Sequence, residues 1–100
     1  MEPTDLTTVE MDYHSLISVL NDAYEQASVG KGKERHACHR PFDQQPMQTI
    51  SDLLGTNQGL IFQAIKKSQE SIRMDKAAAR RELLGAINYL AGAIIYLEKS

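Results

Sequence analysis

Apolar residues recur along this chain mostly at three- and four-residue intervals, the spacing of a helix face. Val9, Tyr13, Leu16, Ile17, Leu20 and Tyr24 form the first series and predict a helix from about Thr8 to Ala27, stopping near Gly30. Thr7-Thr8-Val9-Glu10 reads as its capping box, with Leu6 and Met11 placed for a hydrophobic staple. Asp43 or Gln45 is expected to cap a short second helix with Pro46 in its first turn, where a missing N–H costs nothing. Met47, Ile50 and Leu54 are its expected buried face, and Gly55 its end. A third helix, capped by Thr56 or Asn57, is expected to reach about Arg73. Its inner stripe is Ile61, Ala64, Ile65, Ser68 and Ile72, with Lys66, Lys67 and Gln69 facing out. Asp75 then caps a last helix that runs nearly to the C-terminus. No period-2 apolar run is bounded by turn residues, so no strand is expected. The predicted fold is all-α: one domain over 1–100, a small bundle of about four helices. Residues 1–6 form a tail, and a long loop over 29–45 joins the first two helices.

The last helix carries two apolar stripes. Leu83, Ile87, Leu90, Ile94 and Leu97 follow the 4-3-4-3 spacing of a coiled-coil seam. Gly85, Tyr89, Gly92 and Tyr96 repeat that spacing on another face, flanked by Ala86 and Ala93. Glycines seven residues apart let a second backbone approach closely, at about 1 kcal/mol each in helix propensity. A helix apolar nearly all round is buried on several sides. The seam suits the chain's own core, and Gly85, Tyr89, Gly92 and Tyr96 are the expected contact with a second copy, making a homo-oligomer.

Composition narrows the function classes. The 100 residues include 11 Lys+Arg and 13 Asp+Glu, for a net charge of -2. That total argues against a protein that coats long nucleic acid. One Cys rules out an internal disulfide framework and suits a reducing compartment. The start, Met1-Glu2-Pro3-Thr4-Asp5, lacks the basic and apolar regions of a signal peptide. The apolar stretch from Leu83 to Leu97 is shorter than the roughly 20 residues of a membrane span, and Asn88 interrupts it. A cytoplasmic protein without membrane partners is expected.

The charge is unevenly placed. The long loop holds Lys31, Lys33, Arg35 and Arg40, with His36 and His39, against only Glu34 and Asp43. Helix connections in bundles usually take 2–8 residues, and longer ones tend to carry function. Gly30 and Gly32 free the backbone to turn N–H groups toward an anion, and the arginines can grip phosphate bidentately. Phe42, with Tyr24 or Tyr13, can stack a base. No GxxxxGK[ST] motif occurs, so this is a compositional signal for phosphate rather than a P-loop. A solvated basic loop is the plain alternative.

Two other chemistries are thinner. His36, Cys38 and His39 are three soft ligands within four residues, but a structural zinc site needs four well-spaced ligands, and His14 is the only other His. No metal is expected. All-α nucleotide pyrophosphatases hold Mg²⁺ with two helical acid–x–x–acid pairs. Asp22 and Glu25 make one pair; the second would begin at Glu82, where Gly85 replaces the acid. Glu70 is followed by Arg73 and does no better.

The strings Gly32-Lys-Glu-Arg-His-Ala37, Pro41-Phe42, Gln45-Pro46 and Ile50 resemble the N-terminal domain of phage dATP/dGTP diphosphohydrolases and the short phage proteins grouped with them. So do Gln63-Ala64-Ile-Lys66-Lys67 and Glu82-Leu-Leu-Gly-Ala-Ile-Asn88-Tyr-Leu-Ala; together they cover about residues 30–97. The resemblance implies a phage origin, hence the cytoplasm of an infected bacterial host, and a purine-nucleotide ligand. Glu82 to Leu90 is also similar to the second metal-binding helix of MazG-like pyrophosphatases, with Gly85 in place of that motif's Asp.

The leading expectation is therefore a nucleotide-binding protein without catalytic activity. It would act as a sponge for a purine or cyclic nucleotide immune signal, by analogy with phage sponges of CBASS and Thoeris immunity. Lys31, Lys33, Arg35 and Arg40 would hold phosphates, Glu34 and His36 would position ribose or base edges, and Phe42 would stack a base. Lys66 and Lys67 would close the site from the third helix, while Asn88 and Gln63 orient side chains within the bundle. The alternatives are a Mg²⁺-dependent diphosphohydrolase using Asp22, Glu25 and Glu82, and an inhibitor that binds a host protein.

Overall fold

Local signals place several helix ends, but the first helix begins at His14, after a 3₁₀ turn, rather than near Thr8. In the structure, a computed structural model that describes residues 11–29 and 40–100, four α-helices follow in chain order: α1 His14–Ser28, α2 Pro46–Leu54, α3 Gln58–Ser71 and α4 Lys76–Lys99. Short 3₁₀ turns at Met11–Tyr13 and Phe42–Gln44 precede α1 and α2, and no strand occurs among the described residues. The capping box over Thr7 to Glu10 lies outside them. α1 enters from its 3₁₀ turn without a side-chain cap, and Val29 closes it on the Glu25 carbonyl. Pro46 occupies the first turn of α2. Gly55 ends it in the left-handed region, φ 71°, with its N–H on Ser51 O and that of Thr56 also on Ser51 O. The Asp75 carboxylate accepts from the Ala78 amide at 2.9 Å and caps α4.

The expected caps of α2 and α3 are spent differently. Asp43 sits in the 3₁₀ turn, and Gln45, at the cap position, turns its amide to the Arg40 carbonyl, 3.1 Å away. Asn57 stands at the start of α3 but donates to the Ala93 carbonyl of α4 at 3.0 Å. Thr56 Oγ1 accepts the Gln58 amide instead.

α3 and α4 form an antiparallel hairpin, with Asn57 and Leu60 beside Ala93 and Gly92 and Lys67 beside Glu82. α1 runs along α4, tied by Asn88 Nδ2 to Ala23 O at 3.0 Å and Gln26 Nε2 to Arg81 O at 3.1 Å. α2 lies across the α4 backbone at Gly92, whose carbonyl accepts from Gln48 Nε2 at 2.8 Å. Asn88, expected to orient side chains within the bundle, instead ties the α1 backbone to α4.

The core differs from the expected one in which faces turn inward. Its buried apolar residues are Ile17, Ala23, Leu60, Ala64, Leu84, Ala86 and Ala93. On α2, Gln48 and Ser51 are buried while Ile50 and Leu54 are exposed. Ser51 Oγ bonds the Met47 carbonyl and Gln48 Nε2 bonds the Gly92 carbonyl. Among the described residues Gln48 Oε1 is buried without a hydrogen-bond partner, so one half of that amide carries an uncompensated desolvation cost. On α3, Leu60, Ala64 and Ser71 turn in, and the expected inner residues Ile61, Ile65 and Ile72 turn out. On α4, Gly92 is buried: a Cβ there would stand 2.5 Å from Met47 Sδ and 3.5 Å from Leu60 Cδ1. Gly85 faces the Lys67 stem and Gln26. The glycines expected to meet a second copy therefore meet α1, α2 and α3 of their own chain. Leu83, Leu90, Ile94 and Leu97 of the seam are exposed instead. Among the described residues no helix is long and apolar enough to cross a membrane.

Candidate functional site

The basic segment is described only at its exit. Lys31, Lys33, Glu34, Arg35 and His36, and the soft ligands Cys38 and His39, lie outside the described residues. Arg40 is exposed, and its carbonyl is held by the buried Gln45 amide. Phe42 is half-buried at the start of a 3₁₀ turn that packs on α2 and α4. The exit is thus anchored by one aromatic side chain and one buried amide. Tyr13, in the 3₁₀ turn before α1, and Tyr24, on α1, offered as stacking partners for Phe42, are both exposed.

The lysines of α3 have different surroundings. Lys66 is exposed and lies 3.9 Å from Glu70, one helical turn on. Lys67 turns into the junction of α3 and α4. Its Nζ stands 3.4 Å from Glu82 Oε2, with about a quarter of each side chain exposed. The same Nζ is 5.9 Å from the Tyr89 ring centroid, within cation–π range. The Lys67 stem passes over Gly85, with Cδ 3.3 Å and Cε 3.4 Å from the point a Cβ would occupy. Gly85 is thus the residue whose missing side chain admits Lys67. Burial pushes the Tyr89 phenol above its ordinary pKa, and the nearby Glu82 charge adds to that, while Lys66 opposes it.

The carboxylates of the metal-dependent reading are held by the chain's own cations. Arg80 Nη2 binds Asp22 Oδ2, and Lys67 binds Glu82. Glu25 is exposed and borders an open cleft of about 550 Å³ lined by Asp22, Glu25, Gln26, Val29, Arg80 and Leu84. Glu82 is not part of that lining. Among the described residues no three His, Cys, Asp or Glu side chains gather as metal ligands, so Asp22, Glu25 and Glu82 do not converge. His14 is exposed at the start of α1.

Sequence reasoning missed two features here. The Lys67–Glu82–Tyr89 group joins residues 15 and 22 positions apart, and Arg80 and Asp22 are 58 apart. No local spacing signals either. The one available hint was Gly85, since a glycine inside a helix is consistent with a close neighbour.

No protein-family model matches the chain, no curated protein matches it, and no solved structure matches it. The resemblance to phage purine-nucleotide diphosphohydrolases therefore rests on the quoted strings alone.

Proposed function

We propose that this chain binds a purine nucleotide through the basic segment that ends at Arg40 and Phe42, and retains it without hydrolysis. Sequestration of a signalling nucleotide is the activity this implies. The observation that most supports binding over hydrolysis is the state of the carboxylates. A two-metal hydrolase needs several carboxylates free to hold cations at one point. Here Asp22 is bound by Arg80 and Glu82 by Lys67, and the space where the related motif places an acid is filled by the Lys67 stem. The phosphate grip is assigned to Lys31, Lys33, Arg35 and Arg40, base stacking to Phe42, and the edges of the ligand to Glu34 and His36. Lys67 is held by Glu82 in a half-buried place, so of the α3 lysines only Lys66, whose contact with Glu70 is long and exposed, is kept as a candidate phosphate contact.

The test is incubation of the protein with dATP, dGTP and cyclic purine nucleotides in the presence of Mg²⁺, then denaturation and analysis of the ligand. Tight binding with intact ligand recovered is the expected result. A monophosphate product overturns the non-catalytic reading. Absence of any nucleotide-induced rise in melting temperature overturns the nucleotide reading altogether and moves a protein-binding role to the front. Arg35→Ala is expected to weaken binding by about 1.5–3 kcal/mol, the worth of a hydrogen bond to a charged group.

A further inference from the structure

The largest side chains of the α3–α4 hairpin point away from the chain's own core. On α4, Leu83, Leu90, Ile94 and Leu97 are 46, 47, 56 and 65% exposed. On α3 and its C-cap, Ile61, Ile65 and Ile72 are 37, 61 and 82% exposed. These two sets lie on one side of the hairpin. Lys67 leaves α3 toward Glu82 and Gly85. At about 100° per residue, Ile61, Ile65 and Ile72 fall together on one flank, turned by roughly 120–160° from Lys67. On α4 the buried Ala86 and Ala93 separate the hairpin contact from the leucines. Between Leu83 and Leu97 there is no Asp, Glu, Lys or Arg.

From this we infer that the chain forms a two-fold symmetric dimer through this face, with α4 packed antiparallel against α4 of the second copy. Three observations single out a second copy as the occupant. The first is area. Seven aliphatic side chains exposed to this degree offer on the order of 700 Å², above the ~300–600 Å² of the largest patch on a typical monomer and close to the ~800 Å² each partner gives a standard interface. The second is spacing. Leu83, Ile87, Leu90, Ile94 and Leu97 keep a 4-3-4-3 seam, which fits a partner helix, and Leu83 and Leu97 are equidistant from Leu90. A two-fold axis at Leu90 sets Leu83 against the partner's Leu97 and Leu90 against the partner's Leu90, as a self-complementary patch requires.

The third is charge. Lys76 and Arg80, the latter also paired with Asp22 of its own chain, continue the spacing at one end of the seam, and Glu98 lies one turn beyond Ile94 at the other. Antiparallel pairing brings Glu98 of each copy to the basic end of the other. Parallel pairing would place Lys76 beside Lys76, which is unfavourable, while Asp22 offsets the like charge of Arg80 beside Arg80. The inference does not depend on the nucleotide reading, since its residues are distinct from the basic segment.

Sedimentation velocity of the full chain across the micromolar range tests it. The expected mass is twice the 11.2 kDa of one chain. Leu90→Asp places two carboxylates on the axis and is expected to weaken dimerisation by about a hundredfold or more, with helical circular dichroism retained. A wild-type chain that stays monomeric overturns the inference and leaves the face to a different protein. So does a Leu90→Asp protein that remains dimeric. Orientation is read by disulfide formation in a Cys38→Ser background. Leu83→Cys mixed with Leu97→Cys is expected to cross-link between the two proteins, and Leu83→Cys alone is not. Cross-linking of Leu83→Cys with itself overturns the antiparallel arrangement, and these conservative changes keep the test valid if Leu90→Asp fails to fold.

Discussion

The two apolar faces of α4 share a seven-residue repeat and have opposite fates. The face with Gly85 and Gly92 turns toward α1, α2 and α3, and the face with Leu83, Leu90 and Leu97 turns outward. Hydrophobicity alone would have chosen the leucines for the interior. Side-chain size chose otherwise. At Gly92 the absence of a side chain lets Met47 and Leu60 lie against the helix and lets Gln48 reach the backbone carbonyl. Ala93 next to it leaves its carbonyl open to Asn57. The helices are thus held by close backbone approach and by amide side chains donating to carbonyls: Gln48 to Gly92, Asn57 to Ala93 and Asn88 to Ala23 within the bundle, and Gln26 to Arg81 at its surface. Each such bond contributes about 0.5–1.5 kcal/mol and leaves the large aliphatic side chains unspent.

The most severe way to break this comparison is to fill the small face. Gly92→Leu is expected to destabilise the fold by about 1–3 kcal/mol, because Met47, Leu60 and Gln48 must all give way, which outweighs the roughly 1 kcal/mol gained in helix propensity. Urea denaturation measures it. A stabilised Gly92→Leu protein would mean the faces are assigned the wrong way round.

Next comes the junction beside the small face. Lys67→Ala leaves Glu82 without its cation in a half-buried place, and a loss of about 1–2 kcal/mol is expected, between the values for exposed and buried ion pairs. A double-mutant cycle with Glu82→Gln separates the pair from the packing of the Lys67 stem.

A smaller effect appears at high pH. The folded protein holds the Tyr89 proton more tightly than the unfolded chain, whose phenol has a pKa of 10.0. The contribution of Tyr89 is therefore complete below pH 10 and is lost as pH rises through 10 toward the folded value. Tyr89→Phe is expected to flatten the stability profile in that window alone. Parallel profiles for the two proteins would show that the phenol is not desolvated.

The smallest change is expected at Gly85→Ala, within about 0.5 kcal/mol of wild type, since the propensity gain offsets a shift of the Lys67 stem by a few tenths of an ångström. A large loss would show that Gly85, like Gly92, is needed for close packing rather than for admitting one flexible side chain.

Much of the fold was legible in the sequence, and much less of the site. Pro46, Gly55 and Asp75 mark helix ends through interactions within a few residues, so they could be read from neighbours alone. Gln45 and Asn57 could not, because their amides go to partners that only the folded chain brings near. Lys67 carried a cation's signature and was matched to phosphate, yet a carboxylate fifteen residues away claims it. Asp22 and Glu82 carried the signature of metal ligands, and each has a cation beside it instead.

The sequence by itself determined that this chain is helical, that Pro46, Gly55 and Asp75 bound helices, and that its last helix has two apolar faces. Those properties follow from caps, breakers and spacing, which act over one or two turns. Only the tertiary structure decided which face goes inside. Two stripes with the same period are equivalent on an isolated helix. The choice is made by how closely α2 and α3 can approach the backbone of α4, and glycine at position 92 permits an approach that leucine at position 90 does not.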